Sequence, residues 1–73
     1  MRNLEGKEIS RRTIVNTMRQ ELDNCVDPKT NEVNCTQLAE TAAQTHNLYG
    51  NAVTYPIHEE VFDIAIEVAE KYG

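Results

Sequence analysis

The chain has 73 residues, with 12 Asp and Glu against 7 Lys and Arg, a net charge of −5 and a pI near 4.8. A chain this short suits a single domain with a thin core, because little surface is buried on folding at this size. The acidic balance works against general nucleic-acid binding, which needs cations to neutralise phosphates, and against an anionic membrane surface.

The opening MRNLEGKEISRR lacks the apolar region of a signal peptide. No run of 18 apolar residues is present, so no transmembrane helix is expected. Both readings point to the cytoplasm, where the thiols of Cys25 and Cys35 stay reduced.

Residues 1–7 are polar apart from Leu4 and carry Gly6, which predicts a loose, flexible arm. Ser10 is a candidate N-cap, and Ile9 is placed to pack on Ile14 as a hydrophobic staple. The capping box is incomplete, because Thr13 stands where Glu or Gln belongs, and Arg11 and Arg12 oppose the helix dipole. A start nearer Glu5 is the competing reading. The first helix is expected over about 8–25, with Ile14, Met18, Leu22 and Val26 spaced by four.

Asp27-Pro28-Lys29-Thr30-Asn31 reads as a turn: Pro presets φ, Asp bonds to the following backbone, and Asn tolerates a left-handed conformation. Val26 and Val33 flank it and are placed for a minimal strand pairing. Asn34 then caps the second helix, about 35–46, with Gln37 as capping-box partner and Val33 and Leu38 as the staple. Leu38, Ala39, Ala42 and Ala43 form a small-residue face that permits close approach of a neighbour. Residues 47–55 contain the turn signal Gly50-Asn51, together with Leu48, Tyr49, Val53 and Tyr55, and are expected to pack down on one end of the core.

The third helix is expected over about 57–72, after Pro56, with Glu59 and Glu60 at its positive end, Lys71 at its negative end and Gly73 as a stop. Val61, Ala65, Val68 and Tyr72 make one apolar row, and Phe62, Ala65, Ile66 and Ala69 a second beside it. The stripe is wider than a coiled-coil seam. This helix is therefore the expected hub of an all-α three-helix bundle. The expected core is Ile9, Ile14, Val15, Met18, Leu22, Val26, Leu38, Ala42, Leu48, Val61, Phe62, Ala65, Ile66, Val68 and Ala69.

Chemistry-bearing patterns are sparse. Cys25 and Cys35 flank the turn, where a disulfide would staple the fold, but reduced thiols acting as small hydrophobes are the simpler reading. A zinc site would have to recruit Cys25, Cys35, His46 and His58, whose spacing is far from the close pairs of structural zinc sites, so no metal is expected. Glu59, Glu60, Asp63 and Glu67 lie on a solvent-facing helix surface with nothing to tune them for acid–base work. Asn34-Cys35-Thr36 matches a glycosylation sequon, expected to be idle in a chain without an export signal.

Thr36-Gln37-Leu38-Ala39-Glu40 resembles the opening of many helix-turn-helix proteins. The resemblance covers five residues and implies a recognition helix after a tight turn. The next helix instead carries Glu59, Glu60, Asp63, Glu67 and Glu70. The cations available to DNA would be Arg2, Lys7, Arg11, Arg12 and Arg19.

Charge is segregated along the chain, five cations in residues 1–20 against five acidic residues in 57–72. Simple solvation and neutralisation of one helix by another within the fold explain this, and self-association of basic against acidic helix is the functional alternative. The expectation is a small non-enzymatic interaction module with no cofactor, catalytic site, membrane contact or small-molecule substrate. It would present helix surface, from Phe62, Ile66, Ala69, Tyr72, Arg11, Arg12 and Arg19, to a protein partner or to itself. The alternatives are a helix-turn-helix-type DNA-binding regulator and a thiol-based redox switch at Cys25 and Cys35.

Overall fold

The computed structural model describes residues 1–48 and 59–72. Three helices, α1 (Arg11–Glu21), α2 (Cys35–His46) and α3 (Glu59–Glu70), pack pairwise into a bundle, and a 3₁₀ turn (Leu22–Cys25) extends α1. The expected all-α three-helix bundle is thus the observed fold. The expected loop elements Tyr49, Gly50-Asn51, Val53, Tyr55 and Pro56, with His58 and Gly73, lie outside the described residues.

Helix α1 starts at Ser10 and not earlier. Ser10 is extended (φ −73°, ψ 151°), and its hydroxyl accepts from the Thr13 amide at 3.2 Å. The Ser10 carbonyl takes the first helical bond, from Ile14. Ile9 and Ile14 are both buried, as the staple requires. The helix therefore begins three residues later than the expected boundary, because residues 1–8 have other bonds to make.

Those bonds begin within the segment expected as an arm. Residues 1–9 fold back on themselves: Arg2 and Glu8 form an antiparallel bridge, the Met1 ammonium pairs with Glu8, and Ile9 donates to the Met1 carbonyl. Gly6, at φ +79°, makes the reversal. The Glu8 carboxyl is held below the usual range by the ammonium's hydrogen bond and charge. The loop is also anchored at a distance. Asn3 donates to the His46 carbonyl at 2.8 Å, the Leu4 amide donates to the Asn47 carbonyl, and Asn47 donates to Glu5. Helix ends leave carbonyls without partners. The N-terminal loop satisfies them here, beside a left-handed C-cap at Asn47 (φ 56°).

The turn after α1 forms as its residues dictate. Asp27 Oδ1 accepts from the Lys29 amide, Asn31 is left-handed (φ 61°), and Val26 and Val33 form an isolated antiparallel bridge. Asn34 caps α2 through the Gln37 amide. The reciprocal half of the capping box does not form. The Gln37 side chain donates instead to the Asn24 carbonyl and ties the start of α2 to the 3₁₀ turn.

The core gathers Ile9, Ile14, Met18, Cys25, Leu38, Ala39, Ala42, Ala43, Leu48, Val61, Ile64, Ala65 and Val68. Leu38 and the three alanines of α2 are all buried, and α2–α3 is the most extensive of the helix pairs. Helix α2, which also packs on α1 and the 3₁₀ turn, is as central as α3, so the hub role is shared. Several expected core positions are corrected. On α3 the buried row is Val61, Ile64, Ala65 and Val68, while Ile66 is 46 % exposed and Phe62 and Ala69 are only half-buried. The broad stripe rotates toward Ile64 because α1 and α2 both meet α3 on that side. Val15, Leu22 and Val26 are likewise half-buried, at the margin of the core.

Candidate functional site

A concavity lined by described residues runs along the seam between α1 and α3. Arg11, Val15, Arg19 and Leu22 line it from α1 and the turn that follows, at positions i, i+4, i+8 and i+11. Glu67, Val68, Lys71 and Tyr72 line it from the end of α3. Its volume is ≈ 390 Å³, room for one or two branched aliphatic side chains.

Its make-up follows from helix geometry. Two helices with rounded surfaces diverge above their contact line, and half-buried residues at the edge of the core become the floor. Val15 and Leu22 supply that floor with Val68, and Tyr72 brings a ring with a polar tip. Arg11, Arg19 and Lys71 form the rim, with Glu67 as its one carboxylate. Arg11 pairs with Glu67 across the seam. The side chains of Arg19 and Lys71 have no ion pair or hydrogen bond among the described residues. A chain of net charge −5 thus concentrates three cations against one acid around this groove.

Arg11, Arg19 and Tyr72, expected to belong to an interaction surface from two distant parts of the sequence, come together here. Arg12 is exposed but does not line the groove. Phe62, Ile66 and Ala69 lie elsewhere on α3, outside the groove lining. Val15, Leu22, Val68 and Lys71 join Arg11, Arg19 and Tyr72 from outside the expected site residues, as does Glu67, weighed in the sequence only as an acid–base candidate. The available signal was the mixed row Arg11-Val15-Arg19-Leu22, in which charged and apolar residues alternate along one helix edge.

The other candidate groups are dispersed. Thr36, Gln37 and Glu40 are exposed in the first turns of α2, whereas Leu38 and Ala39 are consumed by the core. Arg2 and Lys7 belong to the N-terminal loop. Glu59, Glu60 and Asp63 are exposed on α3. His46 is half-buried with Nε2 2.7 Å from the Thr17 hydroxyl. Among the described residues, no three His, Cys, Asp or Glu side chains gather around a common metal position. None of the described helices is long and apolar enough to cross a membrane.

Cys25 and Cys35 are both free thiols, one ending the 3₁₀ turn and the other opening α2, beside the bond in which the Asn34 amide donates to the Cys25 carbonyl at 2.7 Å. Burial pushes the Cys25 thiol up, against a hydrogen bond with Thr41 that pulls it down, and nearby Glu21 adds to the rise. Cys35 is half-buried beside the Val33 carbonyl. The thiolate is the reactive form, so the two should separate in rate. Cys35 is expected to take up iodoacetamide at least about tenfold faster than Cys25 in the native protein, since Cys25 must wait for local opening. Peptide mass spectrometry over a labelling time course measures this. Equal rates would contradict the burial of Cys25.

Comparison with protein-family models, with curated proteins and with solved structures found no match.

Proposed function

We propose that this chain is a small non-enzymatic interaction module that works in the cytoplasm and whose binding surface is the α1–α3 groove. One observation carries the reading: an apolar floor of Val15, Leu22 and Val68 lies open beneath Arg19 and Lys71, which have no partner among the described residues. That combination fits an apolar side chain with carboxylates beside it. Burial of the side chain supplies affinity, and the cations select the sign of its flanks. A protein surface offers such groups side by side.

Hexanoate, a short apolar chain ending in a carboxylate, is a minimal probe of the groove. In amide NMR spectra it is expected to give saturable shifts confined to residues 11–22 and 67–72, with affinity on the order of millimolar. Hexylammonium, of the same length and opposite charge, should leave those signals in place. Absence of saturable shifts on this face, or equal binding of both probes, would overturn the reading.

A further inference from the structure

We propose that the groove is occupied by the outer ridge of α3 from a second copy of this chain, with Ile66 as the inserted side chain. This rests on the groove being a protein-binding surface. Ile66 and Leu4 are the two large apolar residues left exposed among the described ones, at 46 % and 59 %. Their surroundings separate them. Leu4 is followed by Glu5, which is already engaged by Asn47. Ile66 has Asp63 three residues before it and Glu70 four after it, spacings that place both carboxylates on the same face of the helix. Both are exposed, and neither carboxylate has an ion pair or hydrogen bond among the described residues.

The ridge and the groove are therefore complementary in two respects. An apolar knob stands between two carboxylates, and an apolar floor lies between two cations, Arg19 and Lys71, all four side chains without a partner among the described residues. A groove meeting its own copy about a twofold axis would instead set cation against cation, which opposes that arrangement. Knob and groove sit on different sides of α3, so the contact joins unlike patches, and each copy offers one of each. The segregation of charge between the two ends of the sequence acquires a use in such a contact, beside the Arg11–Glu67 pair that joins α1 to α3 within one copy.

One inserted side chain and two ion pairs bury far less than a permanent interface does, so the association should be weak and sensitive to concentration. Light scattering on the whole protein is expected to show a mass that rises with concentration between roughly 0.05 and 1 mM at low salt, and a smaller rise once salt screens the rim. Ile66→Glu removes the knob, and Arg19→Glu combined with Lys71→Glu reverses the rim. These side chains lie at the surface or the groove edge, and circular dichroism checks that each variant folds as the parent does. Each variant alone should stay monomeric. An equimolar mixture should associate again, because one copy keeps its groove and the other keeps its knob.

A wild-type protein that is monomeric throughout, variants that associate as the parent does, or a mixture that stays monomeric would each overturn the proposal. Hexanoate binding by a monomeric wild type would leave the groove as a site for another protein. Loss of hexanoate binding as well would remove the groove reading itself.

Discussion

Leu38→Ala is expected to lower stability by about 3 kcal/mol and the melting temperature by roughly 10–25 °C. Leu38 is fully buried, on the α2 face that meets the rest of the core. Its removal loses the transfer energy of the side chain and leaves a cavity that close-packed helices fill only in part. A domain of this length has a total stability of about 4–11 kcal/mol, so the substitution consumes a large share of it. Thermal and urea unfolding followed by circular dichroism measure the loss. The contrasting variant is Ile66→Ala, where a half-exposed side chain makes few contacts and the expected cost is below about 1 kcal/mol. Were the two losses equal, Ile66 would belong to the core and the observed orientation of α3 would be wrong.

Ala42→Leu is the second large effect, in the opposite steric sense. Ala42 is buried together with Ala39 and Ala43, and three methyl groups in a row set how closely α2 approaches its neighbours. Leu has nearly the helix propensity of Ala, so local preference contributes little to the outcome. The extra carbons must push helices apart or adopt a strained rotamer, at a cost of about 2 kcal/mol. Gln44→Leu adds the same side chain at an exposed position of the same helix and should leave stability within about 0.5 kcal/mol. Urea midpoints for the pair decide the matter. Equal midpoints would mean that the alanine face is not closely packed.

These two substitutions mark the difference between what was legible in the residues and what was not. The Leu38–Ala43 face was readable because every contributor lies within six residues and repeats at the helical period. The caps at Ser10 and Asn34, the staple Ile9–Ile14, the left-handed Asn31 and the Val26–Val33 bridge were readable for the same reason. Each is a bond or contact between near neighbours, so a few side chains decide it. Ile66 was misjudged because an apolar stripe wider than one contact line has no local marker for which edge is covered. The positions of α1 and α2 turned Ile64 inward and left Ile66 outside.

The candidate site shows the same division. Arg11, Arg19 and Tyr72 were identifiable as exposed or terminal residues with something to offer, but their meeting in one groove joins positions more than 50 residues apart. The N-terminal loop's grip on the end of α2, through Asn3 and the His46 carbonyl, spans 43 residues and has no periodic signature.

By itself the sequence determined the class of fold, the limits of α2, the chemistry of its turn and the segregation of charge, all of which follow from local sterics, local hydrogen bonds and side-chain period. The tertiary structure decided which edge of α3 is buried, that residues 1–9 cap α2, and that half-buried residues of α1 and α3 face each other across a cationic groove. Those outcomes depend on how three helices share one small core, and that arrangement is a balance over the whole chain that no single segment sets.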